Sequence, residues 1–338
     1  MEGLGERPDM TAPAQAARRQ LISVITPCYN EEEGIRECYA AVRRVFDEKL
    51  PGYDREHIFA DNASTDSTLA ILKEIAAADP AVKIIVNARN FGPMRSHFNA
   101  VKAAVGDAAL LFMPADLQDP PDLLPQFVAK WEQGWEVVYG VRANRVEGFP
   151  MKQIRKCYYR LVSGTTYLDM PPDVGDCQFV DGKVLRVIQQ FEDHYPFVRS
   201  MAFEVGFRST PLPYTVQART RGISKNRLFH LVDQGLNGLI SFSTVPLRIA
   251  LYAGIVIALL SVLFALVNVI MTLVLDQDIP RGIPLLITAL FFFSGVQLFF
   301  IGFLGEYVLS IHNQVKRRPL VVERERVNFN PPQNPPPA

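Results

Sequence analysis

The chain has 338 residues, 49% of them hydrophobic, and its 35 basic residues balance its 35 acidic ones. That length allows one large or two modest domains, and the zero net charge argues against a strongly basic nucleic-acid-binding domain. Cys28, Cys38, Cys157 and Cys177 form no C-x-x-C pair and have no metal-like spacing with histidine, so they read as reduced thiols.

Residues 1–20 are polar and rich in Pro and Ala, without the apolar core of a secretory signal, and are expected to be disordered. A β-branched run at 21–26 is closed by Pro27 and reads as a strand. Helical spacing follows over 31–50 through Ile35, Tyr39, Val42, Val45 and Phe46. A second strand at 57–60 ends in the polar cluster 61–66, and 67–77 is helical. Strand 82–86, helix 96–105 and strand 108–113 complete a β-α-β-α-β-α-β order, which predicts a mostly parallel sheet covered on both faces.

The last of these strands stops at Asp116, Gln118 and Asp119, followed by Pro120 and Pro121. Such a sequence either presents hard oxygen ligands at the C-terminal edge of a sheet or is a solvated Asp-Pro turn. The clusters at 29–31, 61–66 and 116–119 all follow strands, so they are expected to converge on one edge. No G-x-G-x-x-G follows the first strand and no Walker loop occurs, so phosphate must be held by other means.

Residues 151–168 interleave Lys152, Arg155, Lys156 and Arg160 with Ile154, Tyr158, Tyr159 and Leu161, a pattern that suits an amphipathic helix on an anionic leaflet or an ordinary surface helix. Residues 228–247 form a second candidate interfacial segment. Residues 249–275 carry no charge, and 283–309 carry only Glu306. Each run exceeds the roughly 20 residues that cross a bilayer core, which predicts a transmembrane hairpin within 245–311. Lys225, Arg227 and Arg248 precede it, and Lys316, Arg317, Arg318, Arg324 and Arg326 follow it. By the positive-inside rule the domain at 21–244 and the tail at 312–338 are expected on the cytoplasmic side of the inner membrane. The proline-rich end, 330–338, is expected to be disordered, and a two-helix anchor offers a surface for self-association into a homo-oligomer.

The ordered motifs T-P-C-Y-N-E-E-E at 26–33, D-N-A-S-T-D at 61–66, R-N-F-G at 89–92, A-D-L-Q-D-P-P at 115–121, G-D-C-Q-F at 175–179 and R-x-x-G-x-S-K at 219–225 resemble the family 2 glycosyltransferases. With the membrane hairpin and the G-E-Y…K-R-R-P ending, the chain is similar to their polyprenyl-phosphate branch, which includes dolichol-phosphate mannosyltransferases and bactoprenol glucosyltransferases. The resemblance spans residues 21–322. It implies a GT-A fold and inverting transfer of a sugar from a nucleotide-diphosphate donor, a UDP-sugar by analogy with the bactoprenol enzymes, to a polyprenyl phosphate.

It further implies that Pro27, Tyr29, Glu31 and Asp61 hold the nucleoside, with Asp66 nearby. Asp116 would bind Mg²⁺ or Mn²⁺ and the diphosphate, with Gln118 as a further metal ligand. Arg219, Ser224 and Lys225 match the segment that closes over phosphates near the membrane, and Lys225 with Arg199 or Arg219 would hold acceptor phosphate or departing diphosphate. A glycan or lipid-linked oligosaccharide acceptor, or a non-catalytic nucleotide-sugar-binding role, are the alternative readings.

The chain departs from the family pattern in several places. Asn62 and Ala63 stand where the family often has Asp and Gly, Gln178 stands at an often basic site, and Asn226 replaces a usual aromatic. Pro114 replaces the first carboxylate of the D-x-D element, which leaves Asp116 to act with Gln118, donor phosphates and water, or with Asp119. His97 lies in a region where the family has small residues, and could face the sugar pocket or sit satisfied in the core.

Overall fold

The computed structural model describes residues 18–142, 174–215, 282–316 and 318–329, with residue 171 and isolated helical positions between 252 and 271. Strand β1 (Gln20–Cys28) is central because its Ile22, Val24 and Ile25 are wholly buried and can face helices on both sides. Strands β2 (Tyr53–Asp61), β3 (Val82–Asn87) and β4 (Ala108–Leu110) run parallel to it, linked by helices α1 (Ile35–Lys49), α2 (Thr68–Ala78) and α3 (Pro93–Ala103). Each crossover returns the chain to the same edge, so the loops after the strands gather there.

After β4 come a 3₁₀ turn (Pro121–Leu123), α4 (Leu124–Glu132), β5 (Val137–Arg142), β6 (Val174–Asp181), α5 (Gly182–Ile188), α6 (Val198–Glu204), β7 (Ser209–Tyr214), α7 (Gly282–Val315) and β8 (Glu323–Val327). The sheet order is β7-β5-β6-β4-β1-β2-β3-β8. Strand β6 is antiparallel to β4 and β5, and β8 is antiparallel to β3, so the sheet is mixed where a mostly parallel one was expected. The first four strands carry the parallel pattern; the antiparallel members, β6 and β8, come later in the chain.

One face packs α1 and α4 against Ile22, Val24 and Phe179, with Phe127 stacked 6.2 Å from Phe179, and extends under α2 through Phe59 and Leu72. The other packs Phe98 and Val101 of α3, with α5 and α6, against Ile25 and Ile58.

Pro27 does not end β1. The strand continues to Cys28, whose carbonyl accepts from the Asn62 N–H on the β2 side. The carbonyl of Ile25 accepts from the Met113 N–H on the opposite side, and Pro27, having no N–H, returns no bond to that segment.

Helix α7 is 34 residues long, about 51 Å at 1.5 Å per residue, and outlasts the ~30 Å core of a bilayer. Among the described residues it is the one helix long and apolar enough to cross a membrane, and Leu290, Phe291 and Leu298 are exposed along it. Only isolated helical positions of the expected first span are described, and the interfacial segments at 151–168 and 228–247 lie outside the described residues. The end of α7 docks on the domain, because the Gln314 side chain accepts from the His194 N–H (2.9 Å) and donates to the Glu192 carbonyl (2.8 Å). The chain then turns back, and residues 323–327 of the expected tail form the edge strand β8.

Phe127→Ala should lower the unfolding free energy by about 3–5 kcal/mol by leaving a cavity against Phe179. Val105→Ala, at an exposed position, should change it by less than about 0.5 kcal/mol. Chemical denaturation of the purified protein, followed through Trp131 fluorescence beside Phe179, measures both.

Candidate active site

The strand order reverses at β1: β2 and β3 lie on one side of it and β4 on the other. Such a switch point opens a crevice at the C-terminal ends of the flanking strands. The crevice here is a cleft of about 310 Å³ lined by Asn30, Glu31, Glu32, Glu33, Gly34, Glu37, Asp66, Ala115, Asp116 and Leu117.

Each loop at this edge contains one residue with left-handed backbone: Asn30 (φ 55°), Ala63 (φ 61°), Gly92 (φ 88°) and Leu117 (φ 55°). For Ala63 and Leu117 that conformation costs roughly 1–2 kcal/mol each. In both cases the preceding aspartate holds the turn. The Asp61 carboxylate accepts from the Ser64 N–H (3.3 Å), and Asp116 accepts from the Gln118 N–H (3.2 Å).

The loops after β1 and β2 are cross-linked into one unit. Asn30 N–H donates to Ser64 Oγ (3.0 Å), Thr65 N–H to Asn30 Oδ1 (2.8 Å), Glu31 N–H to Thr68 Oγ1 (2.8 Å) and Ser67 N–H to Glu32 Oε2 (2.9 Å). Asp66 accepts from Thr68 and from Glu32 (3.0 and 3.3 Å). Burial raises the Asp66 pKa, but the bond from Thr68 and its companions outweigh this and hold the carboxyl below its ordinary value. Asp66 therefore anchors the start of α2 while lining the cleft. Asp61, almost fully buried at the end of β2, is pushed up by burial, which the Ser64 bond offsets only in part.

Sequence reasoning did not foresee the role of Asn62. Buried beside Asp61, it accepts from Asn87 (3.1 Å) and from the Phe91 N–H (3.0 Å) and donates to Asn90 (2.9 Å), tying the loop after β2 to the R-N-F-G segment. An aspartate there would lose its donor to Asn90, which explains in this chain why the amide is present.

Of the expected site residues, Pro27 and Tyr29 lie half-buried at the end of β1, Glu31, Asp66 and Asp116 line the cleft, and Gln118 follows Asp116 half-buried. Arg199 is held on Asp176 by a bidentate ion pair (2.6 and 2.8 Å), and that guanidinium, overcoming burial, keeps Asp176 below the ordinary carboxylate range. Arg219, Ser224 and Lys225 lie outside the described residues.

Asp119 is not a partner for Asp116. It is fully buried, accepts from Tyr214 Oη (2.7 Å) and pairs with Arg142 (3.2 Å). His97 does not face the cleft; its Nε2 meets the Leu111 carbonyl in the core, where burial lowers its pKa.

Among the described residues no three His, Cys, Asp or Glu side chains form a preassembled metal site. The cleft wall nevertheless carries the carboxylates of Glu31, Glu32, Glu33, Glu37, Asp66 and Asp116 and no Lys, Arg or His. A diphosphate cannot sit against that wall unless a cation lies between them. Were Mg²⁺ or Mn²⁺ to bind there, Asp116 and Gln118 would be the residues to hold it, with phosphate oxygens and water as further ligands.

Residues 23–189 match the family described as Glycosyl transferase family 2. Over 311 residues the chain is 33% identical to the bactoprenol glucosyl transferase of Shigella phage SfII, covering 92% of this chain and 99% of that protein. The chain belongs to glycosyl transferase family 2. It is a glycosyltransferase of the polyprenyl-phosphate branch, and its GT-A-like domain is the mixed sheet described above. It is also 37% identical over 301 residues to an uncharacterized glycosyltransferase of Bacillus subtilis (strain 168), covering 89% of this chain and 92% of that one. A solved glucosyl-3-phosphoglycerate synthase from Mycobacterium tuberculosis, in complex with Mn²⁺, UDP-glucose and phosphoglyceric acid, is 20% identical with a TM-score of 0.45, covering 66% of this chain and 79% of that one.

Asp119→Asn should destabilise this glycosyltransferase by about 3–5 kcal/mol, because it strips a buried partner from Arg142, while leaving its response to metal unchanged. Pro114→Asp keeps the backbone carbonyl that accepts from Leu117 (3.2 Å) and adds a second carboxylate, so it should tighten metal binding. Thermal unfolding with and without Mg²⁺ or Mn²⁺ separates the two effects.

Proposed function

We propose that the protein transfers a hexose, with inversion, from a UDP-sugar to a polyprenyl phosphate at the cytoplasmic face of the inner membrane, making a lipid-linked sugar for cell-surface glycan assembly. The observation that carries this reading is that the shared length with proteins named bactoprenol glucosyl transferase includes the apolar helix α7 as well as the catalytic domain.

In this reading Asp61 accepts from the base or ribose, with Pro27, Tyr29 and Glu31 around the nucleoside. Bound at Asp116 and Gln118, Mg²⁺ or Mn²⁺ supplies charge neutralisation for the diphosphate and for the negative charge that develops as it leaves. An oxygen of the lipid phosphate forms a bond to the anomeric carbon from the opposite side while the bond from that carbon to the diphosphate breaks. The nucleoside diphosphate leaves with the electron pair. No strong general base is required, because a phosphate is already anionic at neutral pH. The described histidines agree with that chemistry: His57 and His97 are buried in the core, His194 lies at the foot of α7, and His312 is in the last turn of α7.

Lys225 and Arg219 hold the acceptor phosphate or the departing diphosphate, with Ser224 beside them. Arg199 can join them only by exchanging its bond to Asp176. The expected hairpin, completed by residues 249–275, and the interfacial segments at 151–168 and 228–247 bring this edge to the membrane surface.

Incubating membranes that carry the protein with radiolabelled UDP-sugars and undecaprenyl phosphate should place label in the organic extract. The double variant Arg219→Ala/Lys225→Ala should lose that transfer by at least tenfold. Label only in a polymeric glycan fraction would overturn the acceptor assignment.

A further inference from the structure

The strand that follows the membrane helix returns to the donor edge of the sheet. Strand β8 pairs with β3 so that Val86 faces Glu325 and Asn87 faces Glu323. Two steps of β8 therefore oppose one step of β3, and Arg324 is the additional residue of a β-bulge. Bulges redirect side chains, and this one lies beside the loops that form the site.

The register fixes how close it comes. Asp61 pairs with Val86, and Val86 pairs with Glu325, so the three lie in one row across the sheet. With strands about 4.8 Å apart, the backbone of β8 passes roughly 10 Å from Asp61, within reach of an arginine side chain. Arg324 is exposed, and its positive charge favours the ionised Asp61 carboxylate. Its neighbours anchor the strand: Glu325 pairs with Lys73 (2.6 Å), and Glu323 accepts from Asn99 (2.6 Å) and from Arg326 (2.5 and 2.8 Å). The bulge thus places one exposed cation within side-chain reach of Asp61, between two glutamates committed to holding the strand.

We propose that Arg324, delivered by the strand after the membrane helix, is a base-reading residue of the donor site that works as a pair with Asp61. This rests on the nucleotide-sugar reading of the site. The carboxylate accepts from a ring N–H and the guanidinium donates to the carbonyl oxygen beside that N–H. Uracil and guanine both present an N–H next to a carbonyl. Cytosine does not, because its ring nitrogen at that position is an acceptor next to an amino group. The pair therefore selects the donor's base through two adjacent groups of opposite sense.

Titration calorimetry of the full-length protein in detergent with Mg²⁺, using UDP, GDP and CDP, tests the pair. The wild type should bind UDP or GDP at least tenfold more tightly than CDP. Arg324→Ala should weaken the preferred nucleotide about tenfold and leave CDP unchanged, collapsing the preference, and Arg324→Lys should recover part of it. Lys73→Ala, which loosens the strand without removing the guanidinium, should keep the preference. An Arg324→Ala protein that discriminates as the wild type does overturns the proposal. An equal loss in Lys73→Ala also overturns it, because the strand and not the guanidinium would then be responsible. If the wild type binds none of the three nucleotides, the nucleotide-sugar reading fails, and this inference fails with it.

Discussion

Two aspartates, Asp61 at the end of β2 and Asp116 in the loop after β4, on either side of the central β1, support the turns that shape the site as well as presenting oxygen to it. Asp61 and Asp116 each accept a backbone N–H from the turn that follows, and each of those turns contains a left-handed residue that no glycine relieves. A hydrogen bond to a carboxylate contributes roughly 1.5–3 kcal/mol, enough to offset that backbone cost. The strain is local and sits where a ligand must be met by backbone and side chain together. Cross-links between the loops after β1 and β2, and the Asn62 bridge to the loop after β3, extend this rigidity along the edge.

The charge of the cleft follows from the same arrangement. The turn into α1 brings Glu31, Glu32 and Glu33 to the positive end of that helix, where carboxylates are favoured, and places them opposite Asp116. Of the basic residues described near the site, Arg142 is engaged with Asp119 and Arg199 with Asp176. A wall of this sign repels a diphosphate on its own and attracts it through a divalent cation. In the proposed reading donor binding and metal binding are one event, with the metal's shell completed by the ligand. Loss of the first D-x-D carboxylate to Pro114 fits a site of that kind better than one that holds its metal beforehand.

Much of this was legible in the residues. The alternation of strands and helices up to 113 follows from periodicity, and the carboxylate clusters after strands mark the ligand edge because topology leaves them no other place. Three features were hidden. The switch of β6 to antiparallel depends on contacts between segments far apart in the chain. Strand β8, Glu-Arg-Glu-Arg-Val, has no apolar alternation, since an edge strand held by ion pairs does not need one. Asp119, which stands in the same motif as Asp116, is buried because Arg142 and Tyr214 come to it from β5 and β7, and nothing local distinguishes the two aspartates.

The dependence of donor binding on a divalent cation tests the central claim most directly. Titration of the full-length protein with UDP should show binding in Mg²⁺ or Mn²⁺ that weakens at least tenfold in EDTA, and Asp116→Asn should abolish that difference. Equal affinity for UDP with and without the cation would contradict an acidic cleft that holds its diphosphate through a metal.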